Sequence, residues 1–388
     1  MNILTFDYEY PPLGGGGGVV HALIAEEQAK RHHVAVITSL YGDLPAYEVR
    51  AGVEIHRVPI VGRSDPSAAS LLSMLSFPTA AWWKASSVLR RRRYDLVHSH
   101  FAVPTGPASV PPALLARLPH ILSLHGGDIY DPSKKFSPHR HPALRLTVET
   151  VLRSSAAVVA QSTNTRENAY RYYRYRGPIE IIPLGIRQPE FAPATRRDLG
   201  LPEDTFLTVT VGRLVKRKAL DRLLHALARP ECADANLVVV GSGPEMEPLG
   251  ALAARLSLDT RVRFLGRVEE ERKWQILAAS DAYVSSTLHE GFGLVYLEAM
   301  AAGLPVITPD HGGQVDFLRD GESGYLVPAG NEELLAAAIA RAAANPAERK
   351  RMGEANRSRA REHRIEECAA SYEALYERVL SERRVSAR

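Results

Sequence analysis

Two glutamates eight positions apart, Glu290 and Glu298, bound the stretch best suited to chemistry, Glu290-Gly291-Phe292-Gly293-Leu294-Val295-Tyr296-Leu297-Glu298. Carboxylates are natural acceptors for vicinal hydroxyls, and a helix N-terminus opened by glycines suits a phosphate. A helix starting at Glu290 would bring the two carboxylates to within about 80° of each other after two turns. Val211–Lys218 (VGRLVKRK) sets Arg213 and Lys218 just past an apolar run. Two fixed cations there suit a diphosphate, with solvated surface charge as the bland alternative. His125, in His125-Gly126-Gly127-Asp128, follows the apolar run His120–Leu124. At the carboxyl end of a parallel strand, a histidine can donate to a hydroxyl or position a leaving group. A packing histidine is the plainer reading.

Residues 14–18 are five consecutive glycines after Pro11-Pro12-Leu13. Such a loop presents backbone N–H groups closely to an anion at a helix N-terminus. It is not a dinucleotide fingerprint, because no spaced acidic ribose partner follows. Gly241-Ser242-Gly243 reads as a tight turn. His98 and His100 alternate along a strand and share a face. With His139 and His141 they offer a metal site only as a remote alternative, since no ordered ligand spacing supports it.

These residues need elements to hold them. Apolar runs expected as strands are Met1–Phe6, Val34–Thr38, Val53–Val58, Asp95–His100, His120–Leu124, Ala157–Ala160 and Glu180–Ile182. Helical spacing marks Val19–Arg31 and Pro142–Arg153 between them. The pattern restarts with strands at Thr205–Val211, Ala235–Val240, Arg261–Phe264, Asp281–Ser285 and Pro305–Thr308. Helices are expected at Ala219–Ala228, Pro244–Leu256, Phe292–Ala302, Glu332–Ala344 and from Pro346 onward. The alternation predicts an α/β chain of two doubly wound, Rossmann-like domains that face each other across a cleft. The seam falls at the proline-rich stretch Pro183–Pro193, so the domains are expected at 1–183 and 184–366. A terminal helix, about 367–388, is expected to return to the first domain.

Composition limits the alternatives. The 388 residues are 45% hydrophobic and 24% charged, which excludes a disordered or collagen-like chain. Two cysteines, Cys232 and Cys368, are too few for a disulfide framework. No apolar run reaches the roughly 20 residues of a membrane span, and the start does not read as a signal peptide. Residues 1–190 carry 21 Lys and Arg against 15 Asp and Glu, and the rest 27 against 29. The basic first half admits an anionic partner, although solubility explains it equally well.

In order and spacing, these motifs resemble retaining glycosyltransferases of family 4, which have the GT-B fold. The stretch EGFGLVYLEAMAAGLPVI reads as that family's E-x7-E motif. Residues 14–18, HGGD at 125–128, VGRLVKRK at 211–218, VVVGSGP at 238–244, FLGRV at 264–268 and DGESGYLVP at 320–328 accompany it. The resemblance implies that Arg213 and Lys218 bind the nucleotide diphosphate and Glu298 the ribose. It implies that Glu290 holds the donor sugar, with Phe292, Gly293 and Leu294 offering backbone N–H groups. Gly15 and Gly16 would approach the phosphates, His125 the sugar, and Arg267 and Val268 the base. Leu184, Arg187, Ala219 and Asp316 depart from the family's usual Asn, Asp, Gly and Glu.

The implied reaction transfers a sugar from a nucleotide diphosphate with retention, no covalent enzyme intermediate and no cofactor. No Asp-x-Asp is present, so no metal requirement is indicated. A UDP-sugar is favoured, with GDP-mannose as the alternative. The acceptor is expected to be a hydroxyl on a lipid-linked or surface-polysaccharide precursor. Ser70–Arg93, with Trp82, Trp83 and Arg90–Arg93, and Tyr170–Arg176 suggest peripheral contact with an anionic membrane. A core helix with a solvated basic end explains the first segment as well. No nucleic-acid partner is expected, and the location reads as cytoplasmic, with peripheral association at the inner face. A small soluble acceptor, an epimerase, a non-catalytic sugar-nucleotide sensor and an NAD-dependent dehydrogenase are the competing readings.

Overall fold

The computed structural model describes residues 1–63, 70–134 and 136–386. The chain forms two compact units: Met1–Gly185 together with the terminal helix, and Ile186–Arg364.

In the first unit, β1 (Asn2–Asp7), α1 (Gly16–Ala29), β2 (His33–Ser39), β3 (Tyr47–Arg50), β4 (Val53–Val58) and α2 (Leu71–Arg91) come first. Then follow β5 (Leu96–His100), α3 (Thr105–Leu115), β6 (His120–Leu124), α4 (Pro142–Ser154), β7 (Ala157–Ala160), α5 (Thr163–Tyr172) and β8 (Glu180–Ile181). The sheet order is β3-β4-β2-β1-β5-β6-β7-β8, parallel except where β3 pairs with β4. β1, β2, β5 and β6 are buried along almost their whole length, as strands covered on both faces must be.

The second unit runs β9 (Phe206–Val211), α6 (Leu220–Leu227), β10 (Ala235–Val240), α7 (Met246–Arg255), β11 (Val262–Gly266) and α8 (Glu270–Ala279). It continues with β12 (Ala282–Val284), α9 (Leu294–Ala302), β13 (Val306–Pro309), β14 (Gly324–Val327), α10 (Glu332–Ala344) and α11 (Pro346–Ala360). Its sheet, β11-β10-β9-β12-β13-β14, is wholly parallel. Two Rossmann-like parallel sheets clad in helices are the architecture of the GT-B fold.

The last helix, α12 (Ile365–Ser386), packs on α1 in the first unit. Gln28 Nε2 donates to the Tyr376 hydroxyl at 3.4 Å, and Arg31 pairs with Glu373 at 2.9 Å. The last two positions of the expected helix, 387 and 388, lie outside the described residues.

Some expectations need correcting. The first helix begins at Gly16 rather than Val19, so three glycines of the run form its first turn. Close packing requires two of them. A Cβ on Gly18 would lie 1.8 Å from the Glu9 carbonyl, and one on Gly17 2.5 Å from the Phe101 ring. The short strands β3 and β14 were not anticipated. Nor was α3, whose Pro111-Pro112 pair reads as a helix breaker. Its Ala108 and Ala113 pack into the core with Phe77 and Ala81 of α2, and that tertiary burial outweighs local propensity.

α2 is a core helix on one face, through Phe77, Ala81, Ala85 and Val88. Its other side exposes Leu71, Leu72, Leu75 and Trp83, the last 77% accessible. No described helix is long and apolar enough to cross a membrane. In the Tyr170–Arg176 segment Tyr173 is buried and donates to the Ile129 carbonyl, Tyr170 donates to that of Gly177, and Tyr172 stacks on Tyr130. Tyr170, Tyr172 and Tyr175 stay partly accessible, and Arg171, Arg174 and Arg176 are exposed.

Candidate functional site

In the second unit the loops after β9 and β12 are bound together. The Leu288 N–H donates to the Arg217 carbonyl at 2.8 Å, the Ser286 hydroxyl to the Ala219 carbonyl at 2.8 Å, and an Arg217 N–H to the His289 carbonyl. These bonds bring Glu290 to the cations. Lys218 Nζ lies 2.6 Å from one carboxylate oxygen and Arg217 Nη1 3.2 Å from the other. Burial alone would raise the Glu290 carboxyl, but Arg217 and Lys218 outweigh it and hold it down at about 2. Burial likewise draws the Lys218 ammonium below its usual value, with Glu290 opposing. The Glu290 carboxyl is ionised at neutral pH. Arg213 lines a hollow with Lys218, Thr210, Tyr283 and Ser285. The clamp on Glu290 thus includes Arg217, which sequence reasoning passed over for Arg213.

Glu290 and Glu298 do not share one helix. Gly293, at φ +95°, caps α9, which starts at Leu294. A side chain there would be strained, and its Cβ would sit 2.3 Å from the Tyr296 ring. The co-facial spacing expected for a helix beginning at Glu290 therefore does not apply. Glu298 lies on α9 and meets Lys273 of α8 at 2.8 Å, and Glu270 holds the same ammonium at 2.7 Å. Burial raises the Glu298 carboxyl, with Lys273 opposing. Burial alone would lower Lys273, and its two carboxylates more than compensate. Phe292 packs its ring against Phe317, with the centroids 5.0 Å apart. Arg267 is exposed just past β11, and Val268 is half-buried beside it. Gly241-Ser242-Gly243, expected as a tight turn, runs instead against the loop after β9, where the Gly212 N–H donates to the Val240 carbonyl and the Leu214 N–H to that of Ser242, both at 2.9 Å; the turn follows it, the Met246 N–H donating to the Gly243 carbonyl at 3.0 Å.

In the first unit, Gly15 caps α1 without a side-chain hydrogen bond, and Gly16 follows as its first residue. The helix's first N–H groups form an anion-favouring end. His125 stands beside it: a Cβ on Gly17 would lie 3.3 Å from His125 Nδ1. The backbone N–H of His125 donates to Asp128 at 2.9 Å, and the other Asp128 oxygen takes the Ala102 N–H at 2.6 Å. That carboxyl, raised by burial to about 6, joins the loops after β5 and β6. Phe101, in the left-handed region at φ +74°, lays its ring 4.4 Å from that of His125. Strain of this kind concentrates where a site needs a fixed shape.

His98 and His100 are buried, each ring against its neighbours, whereas His139 stacks near Tyr130 and Tyr172 and His141 near Phe136. Among the described residues no three His, Cys, Asp or Glu side chains gather as metal ligands.

The comparisons with known proteins agree on one class. The family described as "Glycosyltransferase Family 4" matches residues 13–188, and "Glycosyl transferases group 1" matches residues 191–359. A D-inositol 3-phosphate glycosyltransferase of Nocardiopsis dassonvillei is 31% identical over 328 residues, 79% of this chain and 76% of that protein. The chain belongs to the family 4 type of glycosyltransferase. The structures of two proteins share its fold. Sucrose-phosphate synthase from Thermosynechococcus elongatus has a TM-score of 0.83 at 23% identity, covering 98% of this chain and 99% of that one. Anabaena HepE, in complex with UDP and glucose, has a TM-score of 0.77 at 21% identity, covering 97% and 99%.

In this glycosyltransferase, Ala219 occupies a left-handed conformation, φ 47° and ψ 40°, where the family usually has glycine. Ala219→Gly is expected to stabilise the chain by up to about 1 kcal/mol, because release of the Cβ strain outweighs the entropy gained by the unfolded chain. A lower thermal midpoint in the variant would contradict this.

Sequence reasoning missed Asp7, His21 and Gln161. His21 Nδ1 meets Asp7 at 2.8 Å and its ring stacks on His100 at 3.8 Å. These residues come from β1, α1 and the end of β7, and no spacing along the chain signals their meeting.

Proposed function

We propose that this glycosyltransferase moves a hexose or N-acetylhexosamine from a UDP-sugar to a hydroxyl acceptor with retention at the anomeric carbon. The observation that carries the reading is the buried Glu290 carboxylate held by Lys218 and Arg217 beside the glycine-opened start of α9. Lys218 and Arg213 offset the charge developing on the departing diphosphate. Glu290 accepts from hydroxyls of the donor sugar, and the backbone at Phe292, Gly293 and Leu294 supplies N–H donors. Glu298 accepts from the ribose, Arg267 and Val268 meet the base, and the N–H groups at Gly15 and Gly16 approach the phosphates. His125 hydrogen-bonds to the sugar.

As the bond from the anomeric carbon to the diphosphate oxygen breaks, the acceptor oxygen bonds to that carbon from the same face. Its proton passes to a phosphate oxygen. Glu290, bound by two cations, is not assigned as a nucleophile. A covalent route would use two closely spaced carboxylates instead. The reading needs no metal, because Lys218, Arg213 and the helix ends supply the positive charge.

The complex of Anabaena HepE with UDP and glucose supports UDP as the nucleotide. Calorimetry with UDP, GDP and ADP tests this choice. The expected result is a clear preference for UDP, and a preference for GDP would replace it with mannose transfer. Glu298→Ala should weaken UDP binding by about tenfold, the loss of one to two charged hydrogen bonds. Unchanged affinity would remove Glu298 from the site.

The exposed apolar side of α2, with Arg90 and Arg91 at its end, supports a lipid-linked acceptor reached at an anionic membrane. The Nocardiopsis relative, named for D-inositol 3-phosphate, supports a small soluble acceptor instead. Flotation with anionic liposomes at low salt separates the two. Protein that rises with the vesicles favours the first, and protein that stays in solution favours the second.

A further inference from the structure

Lys273 stands between two carboxylates and an indole. Its ammonium lies 2.7 Å from Glu270 Oε1, one turn earlier on α8, and 2.8 Å from Glu298 Oε1 on α9. The fully buried Trp274 donates its indole N–H to the same Glu270 oxygen at 3.0 Å, which anchors that otherwise exposed carboxylate. The ammonium is also 5.6 Å from the centre of the Trp274 ring, within the range of cation–π attraction. These contacts hold Lys273 in place from the α8 side.

Glu298 depends on that ammonium. Lys273 is its one hydrogen-bond partner among the described residues, and the bond uses Oε1. The side chain keeps 16% of its surface accessible, and its second oxygen, Oε2, meets no donor within the chain. Both oxygens of a carboxylate accept, so Oε2 is the acceptor left for a ligand. Without the ammonium, Glu270 and Glu298 would face each other as like charges. Repulsion and burial together would then turn Glu298 away or protonate it, and a protonated carboxyl is the weaker acceptor. Burial already raises the Glu298 carboxyl, and Lys273 opposes that rise.

We infer that Lys273 is a positioning residue, which pins Glu298 through Oε1 so that Oε2 receives a ribose hydroxyl, and which thereby sets a preference for ribonucleotides over deoxyribonucleotides. The inference rests on the assignment of Glu298 to the ribose made above.

The test is calorimetry of the full-length protein with UDP and with its dideoxy analogue, which lacks both ribose hydroxyls. The wild type should bind UDP about tenfold more tightly, the worth of one charged hydrogen bond. Lys273→Met should bind UDP no more tightly than the analogue, and the analogue as the wild type does. Lys273→Arg, which can donate to the same oxygen, should keep most of the preference. A merely structural role would weaken both nucleotides alike, so a Lys273→Met protein that keeps the wild-type ratio overturns the inference. Glu298→Ala separates this failure from that of the underlying assignment. A wild type without preference, matched by Glu298→Ala, removes Glu298 from the ribose and overturns both. A preference lost in Glu298→Ala but kept in Lys273→Met overturns the role of Lys273 alone. A crystal structure of the wild type with UDP needs no variant to fold. Lys273 is expected on Oε1 with a ribose hydroxyl on Oε2, and an ammonium that leaves Glu298 when UDP binds overturns the inference.

Discussion

Glu290→Gln lowers kcat by about a hundredfold or more and leaves UDP bound as tightly as before, or more tightly. The reason lies in what the carboxylate does in the absence of donor. It is the internal counter-ion of Lys218 and Arg217, at 2.6 and 3.2 Å. A diphosphate approaching Lys218 competes with it for positive charge. Glutamine keeps the shape and removes the competitor, so the cations are freer to hold the nucleotide. Under the proposed function it also removes a charged acceptor from the sugar, and losses of this kind at a reacting centre cost about 10²–10³ in rate. Turnover and calorimetry on the same variant separate the two effects. Loss of UDP affinity with unchanged kcat would show that Glu290 belongs to nucleotide binding instead.

The second large effect is acid sensitivity of the histidine-rich unit. Burial pushes His120 and His125 down to about 3, and lowers His98 and His100 as well. In the unfolded chain a histidine titrates near 6.5. A folded value below the unfolded one means the unfolded state takes up protons first. The stability these rings allow is complete above about pH 6.5 and falls as the pH drops towards 3. For His120 and His125 the loss between pH 7 and 5 is about 2 kcal/mol each.

Asp128 runs the other way. Its folded value of about 6 lies above that of the unfolded chain, so its burial costs least at low pH. Acidification from pH 7 to 5 returns about 1 kcal/mol there. Glu290 contributes above about pH 4.5 and loses its contribution as the pH falls through about 2, outside this window. The net expectation is a loss of several kcal/mol by pH 5, a large share of a typical domain's stability. Thermal melts between pH 7.5 and 5 should show a steep fall in midpoint. His120→Gln, placed where Ser99, Ser109 and Ser155 hydroxyls meet the ring, should flatten the slope. A midpoint independent of pH over that range would contradict the burial account.

Legibility followed the range of the interactions. The buried strands of both sheets could be read because a run such as Ala235–Val240 carries its burial in its own composition. The strand β3 could not, since its residues are mostly exposed and it is held only by pairing with β4. Lys218 and His125 stood out because each lies just past an apolar run, and Glu290 because it precedes two glycines and stands eight positions before Glu298. That Arg217 rather than Arg213 would clamp Glu290 depends on bonds between residues about seventy positions apart. The start of α1 within its glycines was hidden by their poor helix propensity, which packing against Glu9 and Phe101 overrides. The meeting of His21, His98, His100 and His125 draws on α1, β5 and the loop after β6, and only the folded sheet assembles it.

The central claim is transfer with retention from a UDP-sugar. Its most direct test is proton NMR of the enzyme with a UDP-α-hexose and a panel of hydroxyl acceptors, following the anomeric signals. The account predicts loss of the donor's α signal and the appearance of an α-linked product with free UDP. A β-linked product would contradict it, as would a donor left intact with every acceptor while UDP binds.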